Sequence, residues 1–190
     1  MSSVVLSGDT SGAITISAPS VAGTNTLTLP ANTGTVITTG SSGQVIPKAA
    51  LPTGSVLQVV QTSYSTVTST SSTSPVSTGF TSSITPQFST SKILLIMNMN
   101  CGTTTNGNGV TLQLWRGGAS IFQANLNHGY LNIGTTMSEN HLMNTQTYLD
   151  SPATTSTVTY THYFNSSNSG TVYFCVNSNT STVTLMEIAA

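Results

Sequence analysis

Residues 38–54 read TTGSSGQVIPKAALPTG, and this stretch divides the chain into two parts of different character. Its three glycines and two prolines interrupt regular structure, and Pro47 and Pro52 also bias the residues before them toward extended conformations. A buried strand here would lose ladder hydrogen bonds at both prolines. The stretch therefore predicts a neck linker, at residues 41–54, between two separate structural units.

The two sides of this neck differ in the size of their side chains. Residues 1–40 are small, polar and repetitive, whereas the one tryptophan, both cysteines, all six tyrosines and all five phenylalanines follow the neck. A core of ordinary size needs about 100–150 residues, and residues 55–190 provide that length. We therefore predict an N-terminal stalk at residues 1–40 and a compact head at residues 55–190.

Composition excludes several classes of protein. Only 4% of the 190 residues are charged and the formal net charge is -1, whereas about 25% of residues are charged in ordinary soluble domains. Three basic residues neutralise too few phosphates for nucleic-acid binding. The longest apolar run, residues 93–97, is far shorter than the roughly 20 residues of a membrane helix, and no signal peptide is evident. The abundant Thr, Val and Ile favour β structure.

The stalk sequence predicts short strands that cannot form a core alone. Residues 12–17 and 26–30 alternate with period two, and residues 35–38 are a weaker third copy. Burying two leucines contributes at most about 3–6 kcal/mol, while ordering a residue's backbone costs about 1–2 kcal/mol. We therefore expect the stalk to fold only against copies of itself or another surface, which predicts an oligomer.

The head sequence predicts many short strands and no helix. Residues 92–100 begin as a continuous apolar run and end in alternation, which is typical of a central strand buried between two sheets. Gly, Asn and Ser enrich the turns, notably residues 103–109 and 165–170. The pattern predicts an all-β head with a β-sandwich of jelly-roll type. The other predicted strands are residues 55–64, 65–70, 110–116, 119–123, 156–164, 171–176 and 181–188.

Two groups of motifs resemble a known class of virion protein. Residues 12–16, 18–30 and 33–36 are similar to a repeat of bacteriophage tail-fibre and related virion proteins, especially those of aquatic phages. Residues 83–86, 91–94 and 169–173 resemble the globular module that often follows it. The resemblance implies a homotrimeric appendage that is made in the host cytoplasm. Its N-terminus would contact other virion proteins and its head would point outward. Tail fibres and capsid decorations share such modules, so the kind of appendage stays open.

The carboxylates give little support for catalysis. Some phage fibres cleave polysaccharide with paired carboxylates, and this chain has only Asp9, Glu139, Asp150 and Glu187. Glu139 and Asp150 are the pair that folding could bring together, but solvated loop carboxylates are the favoured interpretation. We therefore predict no catalytic residue and no enzyme activity.

The histidines and cysteines predict no metal or cofactor site. No two of His128, His141 and His162 have the spacing of zinc ligands, and no phosphate loop or CxxC motif is present. Cys101 and Cys175 lie in strand-like contexts, and we predict a free buried thiol at each.

Binding of a host-surface glycan is the more plausible activity. Sugar recognition uses exposed aromatic rings and hydroxyl or amide side chains. The candidate receptor contacts are two residues of the 103–109 turn and three of residues 125–132, namely Asn106, Asn108, Asn127, His128 and Tyr130. For Tyr130, a half-buried core or intersubunit position is the favoured alternative, and for Trp115 a core or interface position.

Together these observations predict a non-enzymatic, trimeric virion fibre that mediates attachment to the host cell surface. Many weak contacts between heads and receptors would add through avidity. The alternative is a capsid decoration or cement protein with a purely structural role. A polysaccharide depolymerase is a third and weaker hypothesis.

Overall fold

The structure is a computed structural model that describes residues 3–7, 10–17, 21, 23, 24, 26, 31, 48–124, 128–131 and 140–190. The chain forms two compact units, Met1–Val45 and Ile46–Ala190. The structure describes the first of the three predicted stalk strands, residues 12–17. The other two lie outside the described residues, namely 35–38 and all of 26–30 except Thr26.

The first unit contains an antiparallel hairpin of β1 (Ser3–Ser7) and β2 (Ala13–Ser17). Strand β2 was predicted, whereas its partner β1 was not. Val4 pairs with Ile16 in this hairpin, and both side chains are more than half exposed, at 60% and 51%. Because a two-stranded hairpin is marginally stable in water, a single copy of this hairpin gains little from burial.

The second unit is built almost entirely of strands. It also contains two single turns of 3-10 helix, at Lys48–Ala50 and Val176–Ser178. Its strands are β3 (Val56–Tyr64), β4 (Thr68–Thr70), β5 (Val76–Ile84), β6 (Lys92–Thr103), β7 (Asn108–Arg116), β8 (Ala119–Gln123), β9 (His128–Leu131), β10 (Asn140–Asp150), β11 (Val158–Ser166), β12 (Val172–Phe174) and β13 (Ser181–Ile188).

The strands form two antiparallel sheets with jelly-roll connectivity. The first sheet has the order β10-β6-β13-β3, and β12 and β4 continue β13 and β3 at one end. The second sheet has the order β5-β11-β7-β8, and β9 also pairs with β7. If the eight main strands are numbered in chain order, the two sheets read 1-8-3-6 and 2-7-4-5, which is the arrangement of a jelly roll. The head is therefore the predicted all-β sandwich.

The core lies between the two sheets. Ile93 and Leu95 of β6 are fully buried and belong to the same cluster as Tyr160 and Phe164 of β11. The prediction that residues 92–100 form a central strand is confirmed, because β6 pairs with both β10 and β13. The expectation that both faces are buried is wrong, since Leu94 and the other outward residues of β6 near it are only partly buried.

Several features of the head were not predicted, among them strands β5, β9 and β10 and the position of Trp115. The inward positions of strand β10 include Asn144 and Asp150, which are 7% and 4% exposed. Because polar residues occupy these buried positions, the sequence of β10 lacks the apolar alternation that predicts a strand. Trp115 is half-buried on the outer face of the second sheet, where it stacks on Tyr163 with ring centroids 4.4 Å apart. A core position for Trp115 is therefore wrong, and an interface position remains open.

The final residues of the predicted neck are tied to the end of the chain. The backbone N–H of Gly54 donates to the carbonyl of Ala189 at 2.7 Å, and the N–H of Ala189 donates to the carbonyl of Ser55 at 2.9 Å. These bonds hold the two residues before β3 against the residue that follows β13. Residues 41–47 of the predicted neck lie outside the described residues.

Candidate functional site

A cavity of about 220 Å³ opens on the head near one end of the first sheet. Strands β6, β10 and β12 supply its base, and the turn after β12 supplies a wall. Its lining combines apolar, aromatic and hydrogen-bonding side chains, namely Val67, Thr103, Thr104, His141, Tyr173, Val176 and Asn177.

One position between two of the lining residues has room only for glycine. Gly102 of β6 pairs with His141 of β10 on one side and with Tyr173 of β12 on the other. The three residues share the outer face of the sheet, since the alternate positions Cys101 and Phe174 are fully buried in the core. A Cβ atom at position 102 would collide with the backbone carbonyl oxygen of Asn140. The position therefore requires glycine, because the Asn140 carbonyl and the Val176 side chain fill the space that a side chain there would take.

The wall of the cavity is a strained turn. Cys175, Asn177 and Ser178 have φ angles of 54°, 52° and 59°, in the left-handed region that residues other than glycine rarely adopt. The buried Cys175 anchors the turn, because its N–H donates to the carbonyl of Asn100 at 2.8 Å and its Sγ lies 3.3 Å from Ser181 Oγ. Backbone strain of this kind costs about 1–3 kcal/mol per residue and concentrates at functional sites.

The lining suits a small ligand that carries both apolar faces and hydroxyl groups. The hydroxyl of Thr103 is used internally, since it donates to the carbonyl of Thr171 at 3.1 Å and accepts from Asn108 Nδ2 at 3.2 Å. Thr104 and Asn177 place a hydroxyl and an amide at the rim, and the ring of Tyr173 supplies an aromatic surface. A pocket of a few polar groups among apolar and aromatic ones is typical of a small-molecule site.

Asn108, a predicted receptor contact, is instead an internal clamp. It is 0% exposed, and its Oδ1 accepts hydrogen bonds from Ser166 Oγ at 2.9 Å and from the backbone N–H of Asn168 at 3.0 Å. The amide joins the turn at residues 103–109 to the turn at residues 165–170. Because this side chain has no surface to offer a ligand, the prediction that it contacts a receptor is corrected.

The other predicted contacts lie near one another where the structure describes them. Strand β9 places His128 opposite Val110, and Tyr130 of the same strand is 47% exposed. The Tyr130 hydroxyl lies 3.8 Å from the point where a Cβ of Gly107 would stand, so β9 and the turn at residues 103–109 are neighbours. Asn106 belongs to that turn and is partly buried, and Asn127 lies outside the described residues. Receptor contact by Asn106, Asn127, His128 and Tyr130 stays a prediction.

The predicted contacts Asn106 and Asn108 belong to the turn that supplies Thr103 and Thr104 to the cavity, but none of the seven lining residues was itself predicted. His141 and Tyr173 are brought together only by the register of three strands, which no local pattern reveals. One usable signal is the run from Asn177 to Asn179, because asparagine tolerates left-handed conformations better than most residues.

The described carboxylates of the head are buried and paired. Asp150 is 4% exposed, forms an ion pair with Arg116 and accepts a hydrogen bond from the Tyr160 hydroxyl at 2.7 Å. Burial, with the Asp150 carboxylate beside it, raises the pKa of Tyr160. The interpretation of Asp150 as a solvated loop carboxylate is therefore wrong, and Glu139 lies outside the described residues.

Glu187 is held in the same internal way. It is 0% exposed and accepts hydrogen bonds from Gln58 Nε2 at 2.5 Å and from the backbone N–H of Gln87 at 2.7 Å. Burial alone would raise the pKa of Glu187, but its hydrogen bonds, among them these two, outweigh that effect and lower the pKa. The carboxylate therefore ties strand β13 to β3 and to the loop after β5.

The cysteines match their prediction. Cys101 and Cys175 are both free and buried, and burial raises the pKa of the Cys101 thiol to about 12. Within the part of the chain that the structure describes, no group of three or more His, Cys, Asp or Glu side chains is placed to hold a metal ion. The described residues also contain no helix long and apolar enough to cross a membrane.

No protein-family model and no curated protein sequence matches this chain. Among solved structures, the chain is similar to VP2 in a subviral particle of infectious bursal disease virus, with 11% identity over 70% of this chain and 32% of that chain, and a TM-score of 0.43. It is also similar to a mutant VP2 of the same virus in derived T=1 particles, with 11% identity over 77% of this chain and 40% of that chain, and a TM-score of 0.40. The chain therefore spans less than half the length of these proteins, and the jelly-roll architecture of the head rests on its own strand order.

Proposed function

We propose that this chain is a non-enzymatic virion fibre protein, trimeric through its N-terminal stalk, that attaches the particle to a saccharide on the host cell surface. The observation that carries the proposal is the cavity beside Gly102, in which an aromatic ring, a hydroxyl and an amide converge. The resemblance of the stalk and head motifs to phage virion proteins supports the virion location.

A saccharide fits the chemistry of the cavity better than a charged or purely apolar ligand. A sugar ring presents an apolar face of C–H groups and a rim of hydroxyls, and Tyr173 can stack on the first while Thr104 and Asn177 bond to the second. The lining contains no Lys, Arg, Asp or Glu. A phosphate or carboxylate ligand would find no fixed positive charge there, so a neutral sugar is the better match.

The exposed hairpin of the first unit supports a trimer. Val4, Val5 and Leu6 of β1 are 60%, 56% and 55% exposed, and exposed apolar surface of this kind marks an interaction site. Copies of the same hairpin would bury these side chains and supply the stabilisation that one copy lacks. Several heads would then be held together, and their weak contacts with a surface would add through avidity.

The internal use of the carboxylates supports a protein without hydrolytic activity. Asp150 is paired with Arg116 and Tyr160, and Glu187 is held by Gln58, so neither faces a cavity where a sugar could bind. A depolymerase would need two carboxylates flanking the glycosidic bond. The described part of the head contains no such pair.

Capsid decoration is the alternative function. The outer face of the first sheet exposes Val56 and Leu149 at 50% and 49%, and such side chains suit a protein partner better than water. A decoration protein would use this face on the capsid lattice and bind no saccharide.

Saturation-transfer NMR on the full chain tests the proposal with a panel of free glucose, galactose, rhamnose and N-acetylglucosamine. We expect at least one sugar to bind, and Tyr173→Ala to weaken it by about tenfold or more, which is about 1.4 kcal/mol. Tyr163→Ala is the matched control, because Tyr163 is a half-buried tyrosine on the outer face of the other sheet. Absence of binding to every sugar at millimolar concentration, or equal loss in both variants, would overturn the proposed site.

A further inference from the structure

An apolar row crosses the whole outer face of the first sheet. Leu149 of β10 pairs with Leu94 of β6, Leu94 pairs with Met186 of β13, and Met186 pairs with Val59 of β3. We call these four residues the apolar row. All four point outward, because the alternate positions on the same strands, such as Leu95 and Leu185, are fully buried in the core.

The two ends of the apolar row are its most exposed parts. Val59 and Leu149 are 55% and 49% exposed, on opposite edge strands, whereas Leu94 and Met186 between them are partly buried by their neighbours. Val56 beside Val59 and Met143 further along β10 are also exposed, at 50% and 55%. Contiguous exposed apolar surface on a sheet marks an interaction site.

The surroundings of the apolar row carry almost no charge. The outward positions on the four strands are Thr, Asn, Gln, Ser, His and apolar residues, and Lys92 at the margin is the one charged residue among them. Interface cores are depleted of charged residues and enriched in Met. A charged partner surface would find no opposite charge on this face. The same uncharged face of a second copy matches it better.

The size of the face indicates a partner that is already tethered nearby. Four strands about 4.8 Å apart, with about seven residues of each at about 3.4 Å, cover about 450 Å². A free-standing interface needs about 800 Å² per partner, so this face alone is too small for stable association from solution. A tether supplies effective concentrations in the millimolar range, at which a face of this size is sufficient.

We propose that the heads of one trimer pack on each other through this face, with the Val59 end of one copy against the Leu149 end of the next. The inference rests on the proposed trimeric stalk, which provides the tether. A threefold arrangement joins two different surfaces at each contact, and the apolar row provides two different exposed ends on one face. The partly buried middle of the row, Leu94 and Met186, then lies toward the axis.

Cysteine cross-linking in the full chain tests this arrangement. Three variants are compared under mild oxidation with diamide, namely Val59→Cys, Leu149→Cys and the double variant. The native Cys101 and Cys175 are buried and should not react. Positions 59 and 149 lie on opposite edges of the sheet, about 14 Å apart across three strand spacings, which exceeds the reach of a disulfide within one chain.

We expect the double variant to give covalent dimers and trimers and each single variant to stay largely monomeric under denaturing, non-reducing conditions. The matched control is Ser83→Cys with Gln123→Cys, which places two exposed cysteines on the edge strands β5 and β8 of the other sheet and should not cross-link. If the double variant fails to fold, Leu149→Lys replaces it. That substitution should lower the melting temperature of the full chain by several degrees, whereas Ser83→Lys should not.

Native mass measured on the same samples separates the two proposals. A trimer without cross-links in the double variant, or without a loss of melting temperature in Leu149→Lys, overturns the head contact and leaves the proposed fibre standing. Strong cross-linking in either single variant shows that like ends meet, which overturns the threefold contact. A monomeric full chain overturns both the stalk trimer and the contact between heads.

Discussion

His162 makes the stability of the head sensitive to acid. Its side chain is 3% exposed and packs on Phe80 with ring centroids 5.0 Å apart, and burial lowers its pKa from 6.5 to about 4. The unfolded chain therefore binds a proton at this residue more readily than the folded one between those pH values. The free energy of unfolding is therefore unaffected by protonation of His162 above pH 6.5. It falls as the pH drops from 6.5 toward 4, by about 3 kcal/mol in total.

Urea unfolding at pH 7 and pH 4.5 measures this effect. We expect the unfolding free energy of the natural chain to drop between the two pH values, and the drop to shrink by more than half in His162→Gln. His141→Gln is the matched control, because His141 is an exposed histidine on the outer face of the first sheet. An equal drop in the natural chain and in His162→Gln would contradict the assignment.

The Asp150 carboxylate should matter for stability rather than for catalysis. Removing one partner of a buried ion pair costs about 3–5 kcal/mol, and the partial exposure of Arg116, at 30% of its side chain, places Asp150→Ala near the lower value. Chemical denaturation should show this loss, with a smaller one for Asp150→Asn, which can still accept the hydrogen bond from Tyr160. A loss below about 1 kcal/mol for Asp150→Ala would show that the pair adds little.

At the scale of secondary-structure elements, strand β6 places neighbouring residues on opposite faces of the first sheet. Leu95 is fully buried, so Leu95→Ala in residues 46–190 should cost about 2–5 kcal/mol. Leu94 points to the outer face and is partly buried, so Leu94→Ala should cost less than about 1 kcal/mol in the same unit. Denaturation midpoints of the two variants check the difference. Equal losses would mean that the outer face is also covered within one head.

How far the elements can be predicted depends on whether local sequence carries their signal. Strands such as β11 and β13 were found because their apolar or Thr-rich alternation is set by one buried face. Strand β10 was missed because Asn144 and Gln146 occupy inward positions, and the tertiary fold tolerates them there. Of the cavity, only the 103–109 turn, which contains Thr103 and Thr104, carries a local signal, whereas the approach of His141 and Tyr173 on either side of Gly102 depends on pairing between distant strands.

At the scale of the whole molecule, the two units differ in what they can do alone. The described core cluster lies entirely between Phe80 and Leu185, whereas the described side chains of the first unit are exposed. We therefore expect residues 46–190 to fold as a monomer and residues 1–45 to show no β structure at low micromolar concentration. Circular dichroism and native mass check both, and a folded, monomeric 1–45 peptide would contradict the expectation.

The same difference predicts how binding should respond to removal of the stalk. Each head keeps its cavity, so the Kd for a free monosaccharide should be the same in residues 46–190 and in the full chain. On a surface coated densely with that sugar, the full chain should bind about 10²–10⁴-fold more tightly, because the trimer engages several sugars at once. Surface plasmon resonance at low and high coating density measures both quantities. Equal binding of residues 46–190 and the full chain at high density would show that each head binds singly. Avidity would then not contribute to attachment.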